Sequence, residues 1–364
     1  MKLLGTIHDP TFVAAPPNRL NRLLLTLIKD ERDLPFVHLT LQISLLLIPL
    51  GVLLYMPFVT GWAWWALAIA YQYVNNLKFK GPFGLMLHCT SHRPLYKPAF
   101  KFMNNYLPWV VGPFFGHTPE TYYSHHIGMH HAENNLPDDE SSTMNYQRDS
   151  LRGFLGYFTN FFFLGMSELV GYLRKRNRAK LAWKAVTGEV SFVLLCIGLG
   201  FVNLPATMAV FIVPLLLSRV VMMLGNWTQH SFVDPTDPGN PFKNSITCIN
   251  VKYNHKCWND GYHIGHHFRP GLHWTEHPTF FLKTLDKYAA NQAIIFDGAD
   301  YLKIFISLMT RRYDVLAQHV VNINGNTFAS DDELIAVLKA RTQRIPAVAT
   351  STVLGHSPSF AARH

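Results

Sequence analysis

The stretch LPFVHLTLQISLLLIPL, residues 34–50, opens a run that carries no Asp, Glu, Lys or Arg as far as Leu77. A second such run extends from Val190 to Ser218. A membrane-crossing helix needs about 20 mostly apolar residues. Each run is therefore long enough for a helical hairpin: 37–58 with 60–78, and 186–203 with 206–226, with Glu189 and Arg219 near the span ends. The expected fold class is an all-α integral membrane protein with four transmembrane helices in two hairpins and a cytosolic helical cap. The soluble alternative, a buried helical core, is disfavoured because cores rarely run so far without charge. Only 15% of the residues are charged, against about 25% in a typical soluble domain.

The hairpin tips, Phe58–Trp62 and Asn203–Thr207, are uncharged. The flanks carry Arg19, Arg22, Lys29, Arg32, Lys78, Lys80 and the cluster Arg174, Lys175, Arg176, Arg178 and Lys180. Excess Lys and Arg marks the cytoplasmic side, so both hairpins are expected to dip away from the cytosol. The net charge of +9 suits anionic headgroups or an acidic protein partner. Nucleic acid is not expected, because the basic residues flank spans.

Residues 151–172 are apolar enough to cross. A crossing there would put the second and third histidine clusters on opposite leaflets, so the segment is expected to lie in the interface. Tyr106–Phe115 is too short to cross, and Leu20–Phe36 has the spacing of an amphipathic surface helix. Met1–Pro17 has no signal-peptide pattern, which leaves the first span as the insertion signal. The four cysteines, Cys89, Cys196, Cys248 and Cys257, form no CxxC pair and are expected to be reduced. Three segments are expected: a membrane-embedded catalytic domain over 1–280, a cytosolic helical extension over 281–344, and a loose tail over 345–364. Within the extension, turns are expected at Asn322–Gly325 and a capped helix start at Ser330–Glu333.

Fourteen of the 19 histidines lie between residues 88 and 277. They cluster as His88-Cys-Thr-Ser-His92, His125-His126-Ile-Gly-Met-His130-His131 and His263-Ile-Gly-His266-His267, with a looser Asn226-Trp-Thr-Gln-His230. Residues three and four apart share one face of a helix, so each cluster can aim its rings at one point. Neutral imidazole is a common ligand for iron, copper and zinc. His126 is favoured over His125 because it aligns with His130. The ligand set is then His88, His92, His126, His130, His131, His230, His263, His266 and His267. One ion takes about four to six ligands, so nine histidines imply two ions.

Structural zinc fits poorly without cysteine spacing. Axial haem ligands would lie inside the spans, and a metal carrier would place ligands near the midplane; only His38 falls in the uncharged runs. Two irons open to dioxygen are the best reading. His8, His38, His117, His255, His319, His356 and His364 are taken as ordinary surface or core residues. His125, His273 and His277 are candidates for a supporting shell. So are the carboxylates Glu133, Asp138, Asp139, Asp260 and Glu276, which would fix ring tautomers.

At these positions the chain resembles the integral-membrane fatty acid desaturase and hydroxylase superfamily, whose three histidine boxes match His88–His92, His126–His131 and His263–His267. The Asn226-x-x-x-His230 element resembles a further ligand pair of the stearoyl-CoA desaturases, in which the histidine binds iron and the asparagine holds a water. The resemblance covers about residues 34–280. It implies a di-iron enzyme that uses O2 and two electrons to remove hydrogen from a methylene of a lipid or acyl chain. Desaturation is the favoured outcome. Hydroxylation of a lipid, carotenoid or alkane is the alternative, because the three-residue gaps in the first two boxes also resemble membrane alkane hydroxylases. The chain lacks the His-Pro-Gly-Gly motif of fused b-type cytochrome domains, so a separate donor, a ferredoxin or a b-type cytochrome, is implied. Trp109, Phe114, Trp227, Trp258 and Trp274 are candidate tunnel residues. A bacterial inner membrane, endoplasmic reticulum or plastid envelope fits equally, and oligomeric state is not legible.

Overall fold

A computed structural model describes residues 1–14, 16 and 18–346. Most of them are helical, and two helical runs are long and apolar enough to cross a membrane: Glu31–Leu53 and Ala179–Gln229. The second is interrupted at Asn203, whose φ of −158° and ψ of 97° leave the helical region. Its side chain then accepts the Ala206 N–H, as a capping residue does at a new helix start. The first run ends at Leu53, and the chain turns before helix Gly61–Gln72 begins. Trp62, Trp65, Ile69, Phe201 and Val202 are all more than two-thirds exposed. Large apolar side chains presented in such numbers mark a surface that water does not cover.

The chain divides into two compact units. One comprises Phe12–His125 and Leu173–Val221. In it, helix Lys80–His92 continues from helix Gly61–Gln72 through a π-helical stretch, Tyr73–Phe79. The expected surface helix over Leu20–Phe36 is shorter, Arg19–Leu27. It stops because Ile28 leaves the helix to pair its backbone with Tyr96, and Asp30 then caps the next turn. Two close approaches hold this unit. Gly116, at φ 74°, lies against the backbone of Leu215, and Gly188 lies against the carbonyl of Pro119. The second contact seats Thr121–His125 on helix Ala179–Thr207, where Ser124 Oγ donates to Leu181 O at 3.1 Å.

The other unit comprises Met1–Thr11, His126–Tyr172 and the chain from Met222 onward. The expectation of an all-helical fold misses its two-stranded parallel sheet, Ile246–Ile249 with Ile294–Asp297. Both strands are short β-branched runs, and buried side chains from helices Tyr301–Met309, Tyr313–His319 and Asp331–Arg341 pack on them. Short apolar runs of this kind read equally as buried helix. The helix start at Ser330 forms as expected, with Ser330 Oγ accepting the Glu333 N–H and Glu333 accepting the Ala329 N–H. Ile345, placed by sequence at the start of a loose tail, is buried, and its N–H donates to Met144 O. The tail from residue 347 lies outside the described residues. All four cysteines are free thiols.

Helix Leu151–Lys175 packs Phe154 and Tyr157 against Trp227. Trp227, a candidate tunnel residue by sequence, is instead a core residue with its Nε1–H donated to Arg148 O. Arg148 itself is fully buried. Its guanidinium donates to the carbonyls of Thr143, Met144, Ser231, Arg341 and Gln343. Those bonds tie the loop after the second histidine cluster to the segment after His230.

Candidate metal centre

Seven of the nine expected ligands fall within the unit that contains His126–Tyr172, and they separate into two groups. His126, His131 and His266 form one, and His130, His230, His263 and His267 the other. Within each group the ligating atoms lie within 4.8 Å of one another. His131 Nε2 is 3.0 Å from His126 Nε2 and 2.9 Å from His266 Nε2. His263 Nε2 is 2.9 Å from His267 Nε2 and 3.2 Å from His230 Nε2. The groups adjoin, with the rings of His131 and His267 5.0 Å apart.

Local helix geometry explains the partition. His263–Phe268 is an α-helix, so His263 and His267, four apart, point together while His266 points elsewhere. His126–His130 is a π-helical turn. Its wider winding brings residues five apart into line. His126 therefore joins His131, and His130 is left to the second group. The sequence argument that paired His126 with His130 assumed α-helical winding, and the structure replaces that pairing. The groups contain His126 and not His125. His230 follows the last turn of helix Val213–Gln229, its N–H bonded to Asn226 O at 3.1 Å.

Tautomers are fixed from outside the groups. His130 Nδ1–H donates to Asp139 Oδ2 at 2.7 Å. That carboxylate is buried and also accepts from Asn135 N–H, Ser141 N–H and Ser141 Oγ–H. His230 Nδ1–H donates to the backbone and side-chain oxygens of Asn244, at 3.0 and 3.1 Å. Asn244 is in turn held by Asn135, and it donates to Asn134 O and Pro238 O. With Nδ1 carrying the proton, the Nε2 lone pair is turned inward. Burial, with His130 alongside, pushes the pKa of His230 down to about 3, so the ring is neutral at physiological pH.

This donor set fits metal ions. Nitrogens at about 2.1 Å from one ion, on adjacent octahedral positions, sit about 3 Å apart. The observed separations of 2.9–3.2 Å match that edge. Lone pairs aimed at one another across such a gap repel, and a cation between them removes the repulsion. Carboxylates support the rings instead of joining the groups.

The remaining sequence candidates are placed as follows. Of the five carboxylates, Asp139 accepts from the grouped His130. Asp260 accepts from Tyr253 OH and Gln229 Nε2. Glu133 accepts from Tyr172 OH at 2.5 Å. His273 Nδ1 accepts the Thr275 N–H and caps the turn Trp274–Glu276. The buried His277 ring lies nearly parallel to Tyr262. Asn226 donates both amide hydrogens, to Ser141 O and Tyr157 OH, at 3.0 and 2.6 Å. His38 is bonded to Asn21, as an ordinary polar residue would be. In the other unit His88 and His92 lie on helix Lys80–His92 with ring centroids 5.3 Å apart. Burial, with His88 beside it, lowers the pKa of His92 to about 3.

Sequence reasoning missed Asn244, which lies 14 residues from His230 and has no motif to mark it. It also missed Glu120 and took His117 as incidental, although both line a cavity beside His92. A family model described as fatty acid desaturase matches residues 60–298, about two-thirds of the chain. No curated protein and no solved structure matches the chain.

Proposed function

Since this chain belongs to the fatty acid desaturase family, we propose that it is a membrane-bound di-iron lipid desaturase that introduces a C=C bond into a fatty acyl chain. Family membership makes it an oxidoreductase acting on fatty acids. The observation that carries the finer reading is the gathering of seven imidazoles into two adjoining groups with nitrogens about 3 Å apart. A pair of irons, when bound, supplies the oxygen and redox chemistry. Two electrons come from a separate donor, a ferredoxin or a b-type cytochrome.

The chain's own residues hold, orient and shield. His126, His131 and His266 would hold one ion, and His88 and His92, the first histidine box, are the further ligands that the family's box pattern implies. His130, His230, His263 and His267 hold the other. Asp139 and Asn244 keep the rings of His130 and His230 in the tautomer that ligates. Asn226, its amide hydrogens committed to Ser141 and Tyr157, keeps Oδ1 as an acceptor, which by the family resemblance would hold a water on the second ion. Positioning one methylene of a flexible chain is the remaining task, and errors of about 1 Å change the outcome.

Four spans in two hairpins, with the histidines on the cytosolic face, complete the reading. The exposed apolar side chains, the backbone break at Asn203 and the basic flanks support it. The membrane is a bacterial inner membrane, endoplasmic reticulum or plastid envelope. Expression in a host that supplies donor and lipid, followed by mass profiling of total acyl lipids, tests the reaction. The expected product is lighter than its substrate by two hydrogens. A product heavier by one oxygen makes the enzyme a hydroxylase, and an unchanged lipid profile removes the reading.

A further inference from the structure

The guanidinium of Arg148 is fully buried. Its acceptors among the described residues are six main-chain carbonyls. Nε–H donates to Ser231 O at 3.1 Å, Nη1 to Thr143, Met144 and Tyr146 O at 3.3 Å each, and Nη2 to Arg341 O at 3.0 Å and Gln343 O at 2.6 Å. A buried cation is costly unless its surroundings answer both its charge and its protons. The end of helix Asp331–Arg341 answers both. Arg341 O is among the last carbonyls that a helix leaves without an intrahelical partner, and the negative end of the helix dipole lies there. Two main-chain bonds run alongside: Arg148 N–H to Thr342 O at 2.8 Å, and Ile345 N–H to Met144 O at 2.9 Å. The Ile345 side chain is buried in one apolar cluster with Met144 and Val233.

The fork therefore joins three stretches of chain, and two of them touch the second histidine group. Ser231 follows His230 directly. Thr143 Oγ1 donates to His230 O at 2.7 Å, and Thr143 N–H donates to Asn135 Oδ1 at 2.8 Å. Asn135 donates its side-chain amide to Asn244 Oδ1 and its N–H to Asp139 Oδ2. Those two oxygens receive the Nδ1 protons of His230 and His130. The orientation of both rings is thus built on the loop that Arg148 clasps. His126 and His131, of the first group, precede that loop in the chain. The third stretch, Arg341 to Gln343, lies 193 to 195 residues beyond Arg148.

We propose that Arg148 is a positioning residue for the second ion, and that the end of helix Asp331–Arg341, acting through its guanidinium, holds His130 and His230 in the arrangement that takes a metal. The inference rests on the di-iron reading.

Anaerobic titration of ferrous iron into the full-length, metal-free protein reads the affinity of each site without turnover. The wild type is expected to take two ions. Arg148→Lys keeps the charge but loses the planar fork, so one ammonium cannot span three stretches of chain. It is expected to weaken one ion about tenfold or more, as loss of a group that orients ligands does, and to leave the other within about threefold. Thr143→Val removes the bond to His230 O and should weaken the same ion about threefold or more; it carries the test alone if Arg148→Lys does not fold. His131→Ala and His263→Ala, each of which leaves one group intact, identify the ion. Adding Arg148→Lys should weaken the ion that His131→Ala retains and spare the one that His263→Ala retains. Leu334→Ala opens the core beneath the same helix without touching the fork, so it should lower stability and leave both affinities within about threefold. The proposal is overturned if Arg148→Lys weakens both ions alike or neither, or if Leu334→Ala shows the same selective loss. A wild type that takes fewer than two ferrous ions overturns the di-iron reading, and this inference with it; two ions in the wild type with any of the preceding results overturns this inference alone.

Discussion

Replacing His131 or His263 by alanine is expected to lower turnover by about a thousandfold or more, equivalent to about 4 kcal/mol of transition-state stabilisation, with helix content retained. Each residue is central to its group. His131 Nε2 stands within 3.0 Å of two partners, and His263 Nε2 within 3.2 Å of two. Removing either ring opens one metal position and leaves the other group intact. The two variants should therefore lose different ions, each retaining about one iron per chain where the wild type holds about two. His125→Ala should retain both, because the histidine groups contain His126 in its place. Turnover, iron per chain and far-ultraviolet circular dichroism check the three variants together. Full activity in His131→Ala or His263→Ala would contradict the assignment, as would iron loss in His125→Ala matching that of the other two.

The second large effect is structural. A Cβ built on Gly188 falls 1.6 Å from Pro119 O and 2.6 Å from Pro119 C. Both are backbone atoms, and Thr121 and Ser124, just beyond, are bonded to helix Ala179–Thr207. The obstruction cannot be relieved by turning a side chain. Gly188→Ala is expected to cost about 4 kcal/mol or more, in the range reserved for severe core or backbone lesions. Gly198→Ala, on the same helix, meets nothing within 4 Å and should be neutral or slightly favourable through helix propensity. Thermal unfolding in detergent compares the two. Equal midpoints would show that helix Ala179–Thr207 does not rest on Pro119.

What was legible in the sequence follows from how local each signal is. The uncharged runs and the histidine spacings lie within single segments, so two long apolar helical runs and the gathering of histidines could be read directly. The family match agrees with that reading. Division of the histidines between the two groups was not legible. It depends on the π-helical turn at His126–His130, which moves a pairing from four residues apart to five. Asp139 was one of five carboxylate candidates, and nothing in its immediate sequence separates it from Asp138; a turn that also binds Asn135 and Ser141 does. Asn244 and Arg148 were invisible because their roles arise from partners distant in the chain. The sheet was overlooked for a different reason: ITCI and IIFD are too short for periodicity to distinguish strand from helix.

The central claim is that buried imidazoles drawn from separate stretches of chain hold a pair of irons. An anomalous-difference map recorded at the iron absorption edge, from crystals of the iron-loaded protein, tests it most directly. The account predicts two peaks per chain, one among His126, His131 and His266 and the other among His130, His230, His263 and His267. A single peak, peaks away from these rings, or a signal at the zinc edge in place of iron would contradict it.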